Sequence, residues 1–168
     1  YDCRAAPSYE SILADRSIEA IINTTPNNVH LETTRAAAAA GKHGFLDKPI
    51  ANTVDDARAI TEVCRKARVV LALGYQRRRE GHFRWIRKQI DDGVFGKLVN
   101  AEANISRDRL GKVDLGSWRY TAEGMPGGVM LQIGIHYTDV LEYLLGPIKA
   151  VRGSLAQLVL PGENPDIA

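Results

Sequence analysis

The sequence predicts an α/β fold, in which a doubly wound parallel sheet is followed by an incomplete α+β domain with an open sheet. Three short apolar runs, 20–22, 44–46 and 69–73, alternate with longer segments of helical character. The runs lack polar alternation, which suits strands covered on both faces of a parallel sheet. Each intervening segment is long enough for a helical crossover, so the pattern predicts strand–helix–strand–helix–strand.

Two crossover helices follow from local signals. The first is expected from about Asn28 to Ala40, with Gly41 as a left-handed stop. The second begins after Thr53, whose hydroxyl can cap the helix. Asp56, three residues later, can reach back toward Thr53, which is a capping-box arrangement with Asp in place of Glu.

The rest of the chain has a pattern typical of an α+β domain whose sheet leaves one face open. A helix is predicted within EGHFRWIRKQIDDG, and a largely apolar helix follows a later glycine-rich turn. Residues 97–106 alternate like a half-exposed strand, and 148–160 is a further strand candidate. We therefore predict two partial domains, a first over 1–75 and a second over 76–168.

Composition excludes several classes of protein. Hydrophobic residues make up 45% and charged residues 25% of the chain, which is ordinary for a soluble globular protein. Lys and Arg exceed Asp and Glu by only 22 − 20 = 2, so we expect no nucleic-acid partner. No apolar run approaches the roughly 20 residues of a membrane span. The two cysteines lack CxxC spacing, so the default is a reduced, cytoplasmic protein.

Polar residues follow all three predicted strands, at the edge where doubly wound sheets bind ligands. The stretches are NTTPNNVH, DKP and GYQRRR. The first stretch has two interpretations, because its side chains could line a ligand site or could simply cap a helix, with Asn27 as the N-cap. Its hydrogen-bonding residues are Asn23, Thr24, Thr25, Asn27 and His30.

Lys48 ends the second predicted strand and is followed by a proline that restricts the backbone. Its ammonium group is therefore a positioned donor, and partial burial can lower the pKa of a lysine toward the range of proton transfer. The alternative is a surface lysine paired with Asp47, which is common and contributes little.

A third group of polar residues, Gln132, His136 and Asp139, has spacings of four and three that put it on one face of an otherwise apolar helix. His136 could be a core histidine with satisfied hydrogen bonds, or a general acid or base oriented by Asp139. No third ligand has suitable spacing, so we predict no metal site.

The motifs TTPNNVH, AGKHGFLDKP, GYQRR and GGVMLQIGIHYTDVLEYLLG, in this order, resemble the Gfo/Idh/MocA oxidoreductase family. The resemblance extends from Tyr9 to about Val151. It implies that the first domain is the C-terminal part of a Rossmann-type sheet, with NAD or NADP as cofactor. It also implies hydride transfer to or from a sugar, cyclitol or similar alcohol, and a homodimer or homotetramer formed through the second-domain sheet.

The resemblance also implies roles for individual residues. Lys48, usually within Glu-Lys-Pro and often preceding a cis proline, binds and polarises the substrate oxygen, and His136 is the general acid or base. The residues expected along the cofactor are Thr24, Thr25, Pro26, Asn27, His30, Asp47, Lys48, Tyr75, Gln76 and Arg77. Those expected near the substrate are Lys48, Gln132, His136, Asp139, Trp118 and Arg119.

The sequence departs from the family pattern at three points. Asp47 replaces the usual glutamate, which should change little because the charge is kept. Gln132 stands where many members have an aspartate, so a proton relay would depend on His136 and Lys48. This glutamine favours a second hypothesis, a non-catalytic ligand sensor or partner-binding protein, whereas the presence of both Lys48 and His136 favours an enzyme.

The third departure is the absence of a G-x-G-x-x-G loop, which brings backbone N–H groups to the pyrophosphate in dinucleotide-binding sheets. We therefore expect the sequence to be a fragment of a longer dehydrogenase. Alone, such a fragment should bind a dinucleotide poorly.

Overall fold

The computed structural model describes residues 3–106, 114, 116–154 and 156. It divides into two compact units, Tyr1–Gly74 and Tyr75–Ala168.

The first unit contains a three-stranded parallel sheet. Its strands are β1 (Ala20–Asn23), β2 (His43–Leu46) and β3 (Leu71–Leu73), in the order β1-β2-β3. In the register of the ladder, Ile22 of β1 is level with Phe45 of β2. The α/β class and the parallel connectivity predicted from the sequence are confirmed.

Three helices belong to the first unit: α1 (Tyr9–Ala14), α2 (His30–Ala39) and α3 (Val54–Ala67). The helix α2 begins slightly later than predicted because 27–29 forms a 3-10 turn. Gly41 has a φ of 71°, so the predicted left-handed stop after this helix is confirmed.

The start of α3 is capped by Thr53, whose hydroxyl oxygen accepts a hydrogen bond from the Asp56 backbone N–H at 3.1 Å. The predicted cap is therefore confirmed. The predicted reach-back takes another form, since the Thr53 hydroxyl donates to the Asp56 carboxylate at 2.8 Å. An aspartate side chain is one methylene shorter than the glutamate of a capping box, which suits this nearer contact.

The core of the first unit lies on one face of the sheet. Leu46 and Ile60 are fully buried there and pack with partly buried residues of α2 and α3. On the other face, Ile22 is 74% and Phe45 is 43% exposed. The expectation that both faces are covered is thus wrong within the part of the chain that the structure describes, because an apolar run does not reveal which of its faces a helix covers.

The second unit is helical over most of its regular structure. The helix α4 spans Gly81–Asp91, and α5 spans Ile135–Leu145 and follows directly on a π-helical turn at Met130–Gly134. Two short 3-10 turns lie at Gln76–Arg79 and Trp118–Tyr120. Both helices predicted for this half are confirmed. No helix among the described residues is long and apolar enough to cross a membrane.

The two strands predicted for the second unit do not form in the described residues. Residues 97–106 have no strand structure, and Val99 is 87% exposed. Residues 147–154 are also irregular, and most of the remainder of 148–160 lies outside the described residues. Alternation indicates a strand only when a neighbouring strand supplies hydrogen bonds; none pairs with 97–106, and among the described residues of 148–160 only Ala156 forms an isolated bridge.

Candidate functional site

The three strands of the first unit end level with one another. The backbone N–H of Asp47 donates to the Asn23 carbonyl at 2.9 Å, and that of Gly74 donates to the Leu46 carbonyl at 2.8 Å. These bonds continue the parallel ladder to the last residue of each strand. The polar stretches that follow the strands therefore begin at one edge of the sheet, where doubly wound folds bind ligands.

Lys48 lies at this edge, half-buried, between Asp47 and a fully buried Pro49, and the Lys48–Pro49 peptide bond is cis. Gly74 at the end of β3 allows the neighbouring strand to approach closely. A Cβ added to Gly74 would lie 3.2 Å from Asp47 Oδ1 and 3.4 Å from the Leu46 carbonyl oxygen. The backbone on both sides thus fixes where the side chain of Lys48 begins.

The loop after β1 is shaped by Asn23. Its side-chain oxygen accepts from the N–H and the hydroxyl of Thr25, at 3.1 and 2.8 Å, and its amide donates to the Thr33 hydroxyl at 2.8 Å. Thr24, Thr25 and Pro26 remain exposed. Of the residues predicted along the cofactor in this loop, these three are accessible to a ligand.

The other two, Asn27 and His30, are 3% and 1% exposed. The amide of Asn27 donates to the Asn52 side-chain oxygen, and the ring nitrogens of His30 face backbone carbonyls. Both side chains are buried against protein in this structure, and direct contact of either with a cofactor stays a prediction. The alternative of an Asn27 N-cap is wrong, since α2 has Val29 at that position.

In the second unit, the Gln76–Arg79 turn packs on α5 through two of its arginines. Gln76 itself is exposed. Arg78 forms a two-pronged pair with Asp139, with 2.9 Å between Nε and Oδ2. The guanidinium of Arg77 lies over the Tyr137 ring, 5.0 Å from its centroid. Sequence reasoning missed Arg78 because a run of three arginines does not indicate which of them pairs with a distant carboxylate.

The pair with Arg78 changes the interpretation of Asp139. Its side chain is only 9% exposed, and both carboxylate oxygens accept from Arg78. In this structure Asp139 anchors α5 through Arg78, and its role in substrate binding stays a prediction. Tyr75 lies near the pair, and burial first, then the Asp139 charge, raises the pKa of its phenol.

A second arginine attaches α4 to the end of α5. Arg87 donates from one nitrogen to the carbonyls of Tyr143 and Leu144, at 2.9 and 3.2 Å, and it also pairs with Asp91 on its own helix. Cations favour the carboxyl end of a helix, where the carbonyls lack helical partners. Both ends of α5 are therefore fixed within this unit.

His136 is the second residue of α5 and is 7% exposed. The π-helical turn ends at Gly134, two residues before His136, and contains the half-buried Gln132. Single π-helical turns inside helices are rare and occur frequently at functional sites. Gln132 thus lies where regular helix geometry is interrupted, and His136 lies in the first turn of the regular helix that follows.

The glycine-rich turn before α5 is packed against the Trp118–Tyr120 turn. A Cβ added to the buried Gly124 would lie 2.2 Å from the Trp118 carbonyl oxygen, far inside contact distance. Trp118 is half-buried, and the exposed Arg119 stacks its guanidinium 4.5 Å from the centre of the Trp118 ring. Gly124 therefore fixes the position of both residues that we predicted near the substrate.

Substitution Gly124→Ala is expected to destabilise the second unit by about 1–3 kcal/mol, or more, because the methyl group overlaps a backbone oxygen that cannot move alone. Thermal unfolding followed by circular dichroism measures the change. Gly81→Ala is the matched control, since a Cβ at Gly81 meets nothing within 4 Å. Equal midpoints for the two variants would contradict the assigned packing.

Comparison with known proteins gives two adjoining family matches. Residues 1–75 match the oxidoreductase family with an NAD-binding Rossmann fold. Residues 83–168 match the GFO/IDH/MocA C-terminal domain.

Individual relatives extend over most of the chain. An uncharacterized oxidoreductase of Schizosaccharomyces pombe is 35% identical over 90% of this chain and 41% of its own length. The 1,5-anhydro-D-fructose reductase of Ensifer adhaerens is 33% identical over 88% of this chain and 44% of its own. The chain thus spans less than half the length of these curated relatives.

A solved structure gives the same result for the fold. The WlbA dehydrogenase of Bordetella pertussis, in complex with NADH and UDP-GlcNAcA, superposes with a TM-score of 0.80 at 28% identity. The superposition covers 97% of this chain and 47% of that one.

Proposed function

The chain belongs to the GFO/IDH/MocA oxidoreductase family, and from this membership we propose that the protein transfers hydride between NAD or NADP and a sugar, cyclitol or related cyclic alcohol or ketone. The observation that supports this most directly is the position of Lys48. It lies two residues after the end of β2, at the sheet edge where the polar stretches of three strands begin. A bound nicotinamide ring supplies the hydride acceptor or donor.

Each of the two catalytic residues has a distinct task in the proposal. The ammonium of Lys48 donates a hydrogen bond to the reacting oxygen and stabilises the negative charge that develops on it. The imidazole of His136 accepts the hydroxyl proton during oxidation and returns it during reduction. Gln132 has no ionisable group, so it can orient a hydroxyl of the substrate but cannot relay its proton.

The accessible groups of the first unit fit part of a dinucleotide. Thr24 and Thr25 are exposed and offer hydroxyl and backbone groups to a ribose or a carboxamide, and Tyr75, Gln76 and Arg77 follow β3 in the chain. The sequence contains no G-x-G-x-x-G loop for the pyrophosphate. We therefore assign to these residues the nicotinamide-ribose half only, and leave both NAD and NADP as cofactors.

A substrate screen on the intact protein tests the proposal. Polyols, cyclitols, sugars and sugar lactones are mixed with NAD⁺ and NADP⁺, and the absorbance of the reduced nicotinamide is followed. Turnover with at least one cyclic alcohol is expected. Saturable binding of such a ligand without nicotinamide reduction would instead favour the non-catalytic sensor, which the glutamine at position 132 makes the second candidate.

The oligomeric state and the cellular location are also proposals. The family resemblance suggests a homodimer or homotetramer, which light scattering on the purified protein measures. The state of the cysteines is consistent with a reducing, cytoplasmic location, since Cys3 and Cys64 are both free. Cys64 is buried on α3, and burial raises the pKa of its thiol, so it is a packed side chain rather than a nucleophile.

A further inference from the structure

Two side-chain bridges join the loop after β1 to the segment after β2. The first is His30, whose Nε2 lies 3.0 Å from the Thr25 carbonyl oxygen and whose Nδ1 lies 3.0 Å from that of Pro49. The second is the hydrogen bond from the Asn27 amide to Asn52. The side chains of His30 and Asn27 are both buried, and their partners belong to the segments that flank the candidate site.

The chemistry of His30 makes it the more specific of the two bridges. A carbonyl oxygen only accepts, so a ring nitrogen that bonds to it must donate. A neutral imidazole donates from one nitrogen and the imidazolium from both, so the ring holds at least one loop in either form. Nδ1 also lies 3.2 Å from the Ile50 carbonyl oxygen, which gives it two acceptors after β2.

We propose that His30 is a positioning residue, which fixes the backbone on the carboxyl side of Lys48 relative to the exposed loop at Thr25. Pro49, whose carbonyl faces the ring, is the next residue after Lys48. Release of this carbonyl would free the Pro49–Ile50 peptide, which directly follows the Lys48–Pro49 peptide bond. The catalytic consequence rests on the proposed function, whereas the coupling of the two loops does not.

This role explains why the His30 ring is only 1% exposed, although it belongs to the polar stretch that begins at the ligand-binding edge of the sheet. A buried imidazole without acceptors would be costly, and each ring nitrogen here faces at least one carbonyl oxygen. The ring therefore acts on a ligand only through the two loops. Misplacement of a reacting group by about 1 Å can cost a factor of about 10² in rate, so fixing the lysine loop has a measurable effect.

Two conservative variants separate the two contacts. In His30→Asn, the side-chain amide nitrogen lies near the position of Nδ1, so the contact after Lys48 is kept and the Thr25 contact is lost. In His30→Gln, the longer side chain places its amide near Nε2, so the Thr25 contact is kept and the Pro49 contact is lost. His30→Leu removes both contacts at similar volume.

The two amide variants of the intact protein are expected to affect different kinetic constants. His30→Gln should lower kcat by about 10-fold to 100-fold with little change in the KM for the coenzyme. His30→Asn should raise the coenzyme KM and leave kcat within about 3-fold, in line with its intact lysine loop. The proposal is overturned if both variants lose kcat equally and in proportion to their loss of thermal stability.

Amide hydrogen exchange gives a readout that needs no turnover. Exchange in a peptide covering 47–53 should accelerate in His30→Gln, and exchange in one covering 23–29 should accelerate in His30→Asn. If this pattern is found in a protein that oxidises none of the screened alcohols, the proposed function fails and the loop coupling stands. Uniform protection across all variants would refute the coupling itself.

Discussion

Replacement of Lys48 by methionine is expected to lower kcat by about 10²–10⁴-fold, because the variant keeps an apolar stem of similar length and loses the ammonium group that would donate to the reacting oxygen. The dissociation constant of NADH, measured by nicotinamide fluorescence, should change little. The lysine is half-buried at the end of β2, and a half-buried donor at such an edge is already partly desolvated.

Two further variants make this result specific to the ammonium of Lys48. Lys66→Met removes an exposed lysine that pairs with Glu62 on α3, so it should leave kcat unchanged. Lys48→Arg keeps the charge but replaces a compact point donor by a wide planar group, so it should recover only a small part of the rate. An unaltered kcat in Lys48→Met would refute the assigned role.

The sequence located Lys48 because its position follows from local and topological rules. A short apolar run ends at Leu46, and parallel strands present their carboxyl ends at one edge. The helix stop at Gly41 and the cap at Thr53 are equally local, since each depends on neighbours within four residues. Features that depend on residues close together in the sequence were predicted correctly, together with the α/β class.

Contacts between distant residues were not predictable in the same way. His30 and Pro49 are 19 residues apart, and Arg78 and Asp139 are 61 apart. A polar side chain in a ligand-edge motif has the same sequence pattern whether it faces a ligand or a backbone carbonyl. For this reason His30 and Asp139 were assigned to ligands, although the structure gives each of them a protein partner.

The alternating segment 97–106 shows a related limit. Period-two alternation identifies a chain that could lie half-buried in a sheet, but the energy of a strand comes from its neighbours. No strand pairs with this segment among the described residues, and Val99 is exposed. The pattern therefore predicts a propensity, and the partner decides whether a strand forms.

Replacement of His136 by asparagine is expected to lower kcat by about 10²–10⁴-fold, because the variant keeps a hydrogen-bonding amide and loses the only group on its helix face proposed to exchange a proton with substrate. Gln132 cannot ionise, and the carboxylate of Asp139 is engaged by Arg78. Neither residue can replace the imidazole. The limb of the pH profile of kcat/KM that reports this group should disappear.

Thr138→Ala is the matched control on α5, since Thr138 is exposed and its hydroxyl donates only to the Gly134 carbonyl among the hydrogen bonds resolved for it. Its kcat should stay near that of the parent. If Lys48 and His136 act in one chemical step, the variant with both Lys48→Met and His136→Asn should be scarcely slower than the slower single variant, because such effects are strongly non-additive. Fully multiplicative losses would mean that the two groups act independently, and the proposed shared step would have to be abandoned.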